Sequence, residues 1–128
     1  MAIRQITTAA ATAALMMLAG AGLAAPDLTE VTIGGAKALA DARGMTLYTF
    51  DKDKAGASAC YDGCAAKWPP ALAPDGAKAE GDYGVTERKD NTYQWTYRSM
   101  PLYTYYEDKA AGDATGDGMG GVWHIARP

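Results

Sequence analysis

The chain has 128 residues with 12 basic and 15 acidic side chains, giving a formal charge of −3. That length suits one domain, and the acidic balance offers no basic stripe to neutralise nucleic acid or an anionic lipid surface. Two cysteines among so few residues suggest a domain small enough to need support beyond its core.

Met1 to about Ala24 has the pattern of an export signal. Arg4 precedes an apolar run from Ala9 to Leu18, and small residues lead to Gly22-x-Ala24. The run is too short and poorly flanked for a membrane span, and no later stretch could cross a bilayer. Losing Arg4 on cleavage moves the formal charge to −4. The remaining residues, 25–128, are expected to form a single domain.

Ala25 to Glu30 forms a leader and Val31 to Ile33 a first short strand. Lys37 to Ala40 and Met45 to Phe50 flank the turn-rich Asp41-Ala-Arg-Gly44, which predicts a hairpin. Alternation puts Tyr48 and Phe50 on one face, and both faces are apolar or β-forming, so the strand should be covered on both sides. A single helical turn is expected within 59–67, ended by Pro69 and Pro70. Residues 71–82, rich in Ala, Gly, Pro and charge, are expected to be a linker.

Gly84 to Glu87 predicts a short strand and Arg88 to Asn91 a turn. Thr92 to Tyr97 alternates cleanly, with Tyr93, Trp95 and Tyr97 on one face. Pro101 to Tyr106 predicts another strand, Ala111 to Gly121 with five glycines an irregular segment, and Val122 to Ala126 a last strand. Short alternating runs punctuated by Gly and Pro point to a small, all-β, mainly antiparallel domain.

The chain also repeats itself. Shifted by 55 residues it overlays without a gap, and 12 of the 26 positions from Arg43 to Trp68 are then identical, among them Tyr48/Tyr103, Asp53/Asp108 and Trp68/Trp123. One unit is used twice: repeat one at about 31–70 and repeat two at about 84–128, two pseudo-symmetric halves sharing a core. Tyr48, Phe50, Trp68, Trp95, Tyr103, Tyr105 and Trp123 are the expected anchors of that core. A sugar- or peptide-binding platform is the alternative use of such a row.

Residues serving the shared backbone should recur between copies, and those of a site unique to one half should not. Asp53/Asp108 and Asp62-Gly63/Asp117-Gly118 recur, and turn chemistry accounts for them. Asp51, Asp53 and Asp62 partly match a calcium loop, but Ala55 supplies no oxygen where one is needed. Cys60, Cys64 and His124 do not recur. A Cys60–Cys64 disulfide suits an exported chain and a small domain. The alternative is a soft-metal, copper-type site from Cys60, Cys64, Met119 and His124. His124, the single histidine, faces away from the core if Trp123 faces it, and no serine or cysteine nucleophile is evidently paired with it.

Tyr48-x-Phe50-x-x-Asp53 and Tyr103-x-Tyr105-x-x-Asp108, with CYDGC…KWPP and the closing GVWH, resemble the bacterial secreted-repeat family of predicted lipoproteins. That family is defined by a Tyr-x-aromatic-x-x-Asp motif, and the resemblance implies location without activity. Ala21 stands where an acylated cysteine would be required, so a lipid-free, soluble periplasmic or secreted protein is expected. The function expected is a non-enzymatic envelope domain, a monomer, binding a ligand or partner through repeat two and the 111–121 segment. Copper binding is the alternative, and a small hydrolytic enzyme using His124 the weaker one.

Overall fold

The computed structural model describes residues 27–128; the expected export signal lies outside them. Strands β1 (Thr29–Ile33) and β2 (Ala36–Ala40) form an antiparallel hairpin. Gly34 and Gly35 turn it at φ 64° and 83°. A two-residue turn with positive φ at both positions matches the twist of the strands it joins, and glycine adopts it without strain. β3 (Tyr48–Phe50) follows, then α1 (Gly63–Lys67) and the two-residue β4 (Leu72–Ala73). Repeat two contributes β5 (Tyr83–Glu87), β6 (Tyr93–Tyr97) and β7 (Met100–Pro101). A 3-10 turn at Met119–Gly121 leads into β8 (Trp123–Ile125). No helix among the described residues is long and apolar enough to cross a membrane.

The two repeats are interlocked. At the centre Tyr48 N–H donates to Tyr103 O at 2.8 Å and Tyr103 N–H to Tyr48 O at 3.0 Å, so equivalent residues of the two copies pair with each other. β3 is then completed by β8 of the other repeat, in the register Tyr48↔Ile125, Thr49↔His124 and Phe50↔Trp123. The 55-residue shift converts Ala71 N–H to Leu102 O (2.9 Å) into Ala126 N–H to Leu47 O (2.8 Å). It likewise converts Asp51 N–H to Val122 O (2.8 Å) into Tyr106 N–H to Lys67 O (2.9 Å). A pseudo-twofold axis therefore passes between Tyr48 and Tyr103, and β3 takes its sheet partner from the other repeat.

The interlock decides where local patterning fails. The expected hairpin of 37–40 with 45–50 is not built, because β2 pairs with β1 and β3 with β8. Only the bridge Ala40↔Thr46 and Leu47 N–H to Leu39 O at 3.0 Å join those two stretches. The expected strand over Pro101 to Tyr106 shortens to β7 and single bridges at Tyr103. The expected linker 71–82 begins as structure: β4 pairs with β6, and Ala71 and Ala73 are buried. Arg98 and Ser99, at φ 48° and 72°, make the tight turn from β6 to β7.

Two clusters fill the core, and each draws on both repeats. One holds Leu39, Leu47, Ala71, Ala73, Trp95, Leu102 and Ala126. In the other, four rings form a column, Phe50–Trp123–Trp68–Tyr105. Trp68 and Trp123, equivalent residues, stack at 3.9 Å with their planes 2° apart. Phe50 caps Trp123 at 4.1 Å and Tyr105 caps Trp68 at 4.2 Å. Tyr48 meets Trp68 edge-on at 5.2 Å and Tyr103 meets Trp123 at 5.1 Å. Each such pair contributes about 0.5–1.5 kcal/mol beyond the area it buries, so the column is a main source of cohesion between the halves. All of the expected anchors lie in these two clusters.

Candidate functional site

The Tyr and Asp of the repeated motif meet across the axis. Tyr48 hydroxyl donates to Asp108 Oδ2 at 2.7 Å, and Tyr103 hydroxyl to Asp53 Oδ2 at 2.7 Å. The second oxygen of each carboxylate fixes its own loop. Asp53 Oδ1 accepts Ala59 N–H at 2.7 Å; Asp108 Oδ1 accepts Thr115 N–H at 2.9 Å and Thr115 Oγ1 at 2.6 Å. The spacing of the motif follows. Tyr at its first position and the second aromatic share the core face of the strand, and the Asp three residues later turns back to receive a phenol from the other copy. Turn chemistry is thus half of what Asp53 and Asp108 do.

All four residues are buried. Burial, then the bond to Asp108, push the pKa of the Tyr48 phenol far above its ordinary value; burial is also the largest cause of the same upward shift at Tyr103. Burial raises Asp53 against the lowering pull of Tyr103, Ala59 and the Arg88 guanidinium. Hydroxyls in such surroundings stay protonated and act as donors.

On the Asp53 side the network continues. The hydroxyl of Ser58 bonds Tyr103 at 2.6 Å, and Arg88 Nη1 donates to Ser58 Oγ at 3.0 Å and to Gln94 Oε1 at 2.9 Å. Arg88 Nη2 holds Cys60 O at 2.7 Å, and Gln94 Nε2 reaches Leu102 O at 2.7 Å. Tyr61 covers the guanidinium at 4.2 Å. Sequence reasoning placed Arg88 in a turn and missed Ser58 and Gln94. The signal it passed over is Gln94 between Tyr93 and Trp95, a polar side chain on a strand that is covered on both faces. Cys60 and Cys64 form a disulfide over α1, with Cys60 fully buried.

The remaining candidates separate. Tyr105 hydroxyl donates to Met119 Sδ at 3.5 Å. His124 Nε2 lies 2.8 Å from Asp51 Oδ2 on the surface. Cys60 and Cys64 spend their sulfurs on each other, so Cys60, Cys64, Met119 and His124 each have another partner than the copper-type set requires. Among the described residues no group of three or more His, Cys, Asp or Glu is arranged to hold a metal ion. Asp51 and Asp53 of the partial calcium loop are likewise engaged. In the glycine-rich segment, a Cβ at Gly116 would lie 2.5 Å from the Trp68 ring and 3.0 Å from Tyr105. That glycine serves close packing against the column.

A cleft of about 420 Å³ lies beside β4, and a second concavity of about 370 Å³ lies by Tyr83 and Tyr97. Pro69, Pro70, Leu72, Pro74 and Trp95 form the apolar lining of the cleft beside β4, with Asp41 and Arg43 also there. Leu72 is 57% exposed there.

Two interlocked copies of one strand-and-turn unit, locked by reciprocal Tyr–Asp bonds, define a tandem-repeat β domain. The chain belongs to the family described as a secreted repeat of unknown function, whose model matches residues 35–72 and 84–127. No curated protein and no solved structure matches the chain.

Proposed function

We propose that the protein is a non-enzymatic, lipid-free binding domain of the cell envelope and that it takes its ligand or partner in the cleft beside β4. The observation that carries this reading is Leu72, an aliphatic side chain left 57% exposed in a cleft that it lines together with Pro69, Pro70, Pro74 and Trp95. The lining is mixed, with Asp27, Asp41, Arg43 and Thr104 beside the apolar side chains, and ligand sites combine apolar walls with convergent polar groups. The groups in the core with shifted acidity, Tyr48, Tyr103 and Asp53, spend their hydrogen bonds on joining the repeats. That favours binding over catalysis, and it moves the expected binding face away from the 111–121 segment.

A photoreactive residue at Leu72, in cells, should give a discrete adduct that the same residue at Lys52, outside the cleft, does not. Equal labelling from both positions, or none from Leu72, would count against the cleft. The hydrolytic reading has one observation in its favour, the His124–Asp51 bond at 2.8 Å. It requires that the purified protein hydrolyse an ester or glycoside substrate and that His124→Ala abolish that hydrolysis.

A further inference from the structure

β4 is an edge strand, since its sheet runs in the order β4–β6–β5. Trp95 N–H donates to Ala71 O at 2.8 Å, and bonded and non-bonded pairs alternate along an antiparallel ladder. Leu72, one residue on and opposite Gln94, therefore turns its N–H and C=O away from β6. No backbone group among the described residues bonds either of them. Its side chain points outward too: Ala71 and Ala73 are buried and Leu72 is exposed, as strand alternation requires. The cleft beside β4 thus holds a free main-chain donor, a free acceptor and an aliphatic side chain on one residue.

An edge of this kind is filled by an extended chain, which supplies the missing acceptor and donor. The neighbours limit what can fill it. The positions two residues either side of Leu72 are Pro70 and Pro74, which carry no N–H, so the ladder on this edge is one residue long. A two-residue strand bordered by prolines blunts sheet-to-sheet pairing, which disfavours a second copy of the chain. A single extended segment needs only the one pair of bonds. Charge selects further: Asp41 takes Arg43 at 3.4 Å, whereas the exposed carboxylate of Asp27 has no cation partner among the described residues. The cleft is left with one carboxylate in excess, and a basic side chain complements it.

We propose that the cleft takes a short extended peptide of a partner protein, added to β4 as a strand. One residue of the peptide exchanges main-chain hydrogen bonds with Leu72 N–H and C=O, an apolar side chain packs against Leu72 and the prolines, and a lysine or arginine meets Asp27. The main-chain bonds hold any extended sequence, and the side-chain contacts select those that combine an apolar with a basic residue. This rests on the cleft being the binding site and adds the chemistry of the partner.

A random peptide library displayed on phage and panned against the mature protein should enrich sequences that join an apolar residue to lysine or arginine. A synthetic peptide of enriched sequence should protect the Leu72 amide from hydrogen exchange. N-methylation of one of its residues should weaken binding about tenfold or more, because it removes the donor to Leu72 C=O. Leu72→Pro deletes the edge N–H and keeps an apolar side chain, and it should bind the peptide about tenfold more weakly than Leu72→Val. No enrichment, an unprotected Leu72 amide, or equal affinity of every N-methylated peptide would overturn strand addition. Should Leu72→Pro fail to fold, the N-methylation series and the amide decide. If these fail while a photoreactive residue at Leu72 still gives its discrete adduct, the peptide falls and the cleft stands; if the adduct is also missing, both fall. An adduct that proves to be a second copy of the chain refutes the peptide as well.

Discussion

Replacing Tyr48 by Phe deletes one oxygen and leaves the ring that packs on Trp68. The loss is confined to polar partners. Asp108 Oδ2 gives up its donor at 2.7 Å while Oδ1 keeps both donors from Thr115, and Gly116 N–H loses an acceptor at 3.2 Å. A buried hydrogen bond to a charged group is worth about 1.5–3 kcal/mol, and the ring leaves no large cavity, so Tyr48→Phe should cost about 2–3 kcal/mol. That is a large share of the roughly 5–15 kcal/mol typical of a domain. The assay is a double-mutant cycle with Asp108→Ala, read by urea unfolding at neutral pH. A coupling energy of about 1.5–3 kcal/mol is expected. Coupling within about 0.5 kcal/mol of zero would show that the pair does not join the repeats.

Gly116→Ala drives a methyl group into Trp68 and should destabilise by about 1–3 kcal/mol in chemical denaturation. Gly63→Ala, in α1 with open space around it, should be neutral or stabilising by up to about 1 kcal/mol. Reducing the Cys60–Cys64 disulfide should lower stability by about 2 kcal/mol, seen as a lower urea midpoint with dithiothreitol. Asp53 is a carboxylate whose folded-state acidity is weakened by burial, so its contribution is fully present below the ordinary carboxylate range and is lost as pH rises through the folded value. The stability of wild type relative to Asp53→Asn should therefore fall with rising pH across the acid range; a rise would contradict that sign.

The parts of the fold that were legible are those whose cause is local. β6 alternates over five residues and occurs where its pattern puts it, and α1 ends where Trp68 and two prolines follow. The repeat foretold the twofold, and the export setting foretold the disulfide. β4 and β7, two residues each, are too short to show any period, and their pairing comes from neighbours distant in the chain. The hairpin expected around Asp41 to Gly44 was a sound local reading. Asp41 Oδ1 does take Arg43 and Met45 N–H in that turn, but β8 takes the partner position beside β3. The partners of Asp53 and Asp108 were hidden for the same reason. A carboxylate after a strand is ordinary turn chemistry until the other copy brings a phenol to it. Arg88 looked like a turn residue because nothing local shows that Ser58, Gln94 and Cys60 converge on it.

Native-state hydrogen exchange at four amides tests the interlock most directly: Tyr48 and Tyr103, which pair across the axis, and Ala71 and Ala126, each bonded to the other repeat. All four should exchange only through global unfolding, with one common free energy that shifts together as urea is added. Exchange of Ala71 through a partial opening while Ala126 keeps the global value would mean that the halves are separable, and would contradict a single body built from two copies.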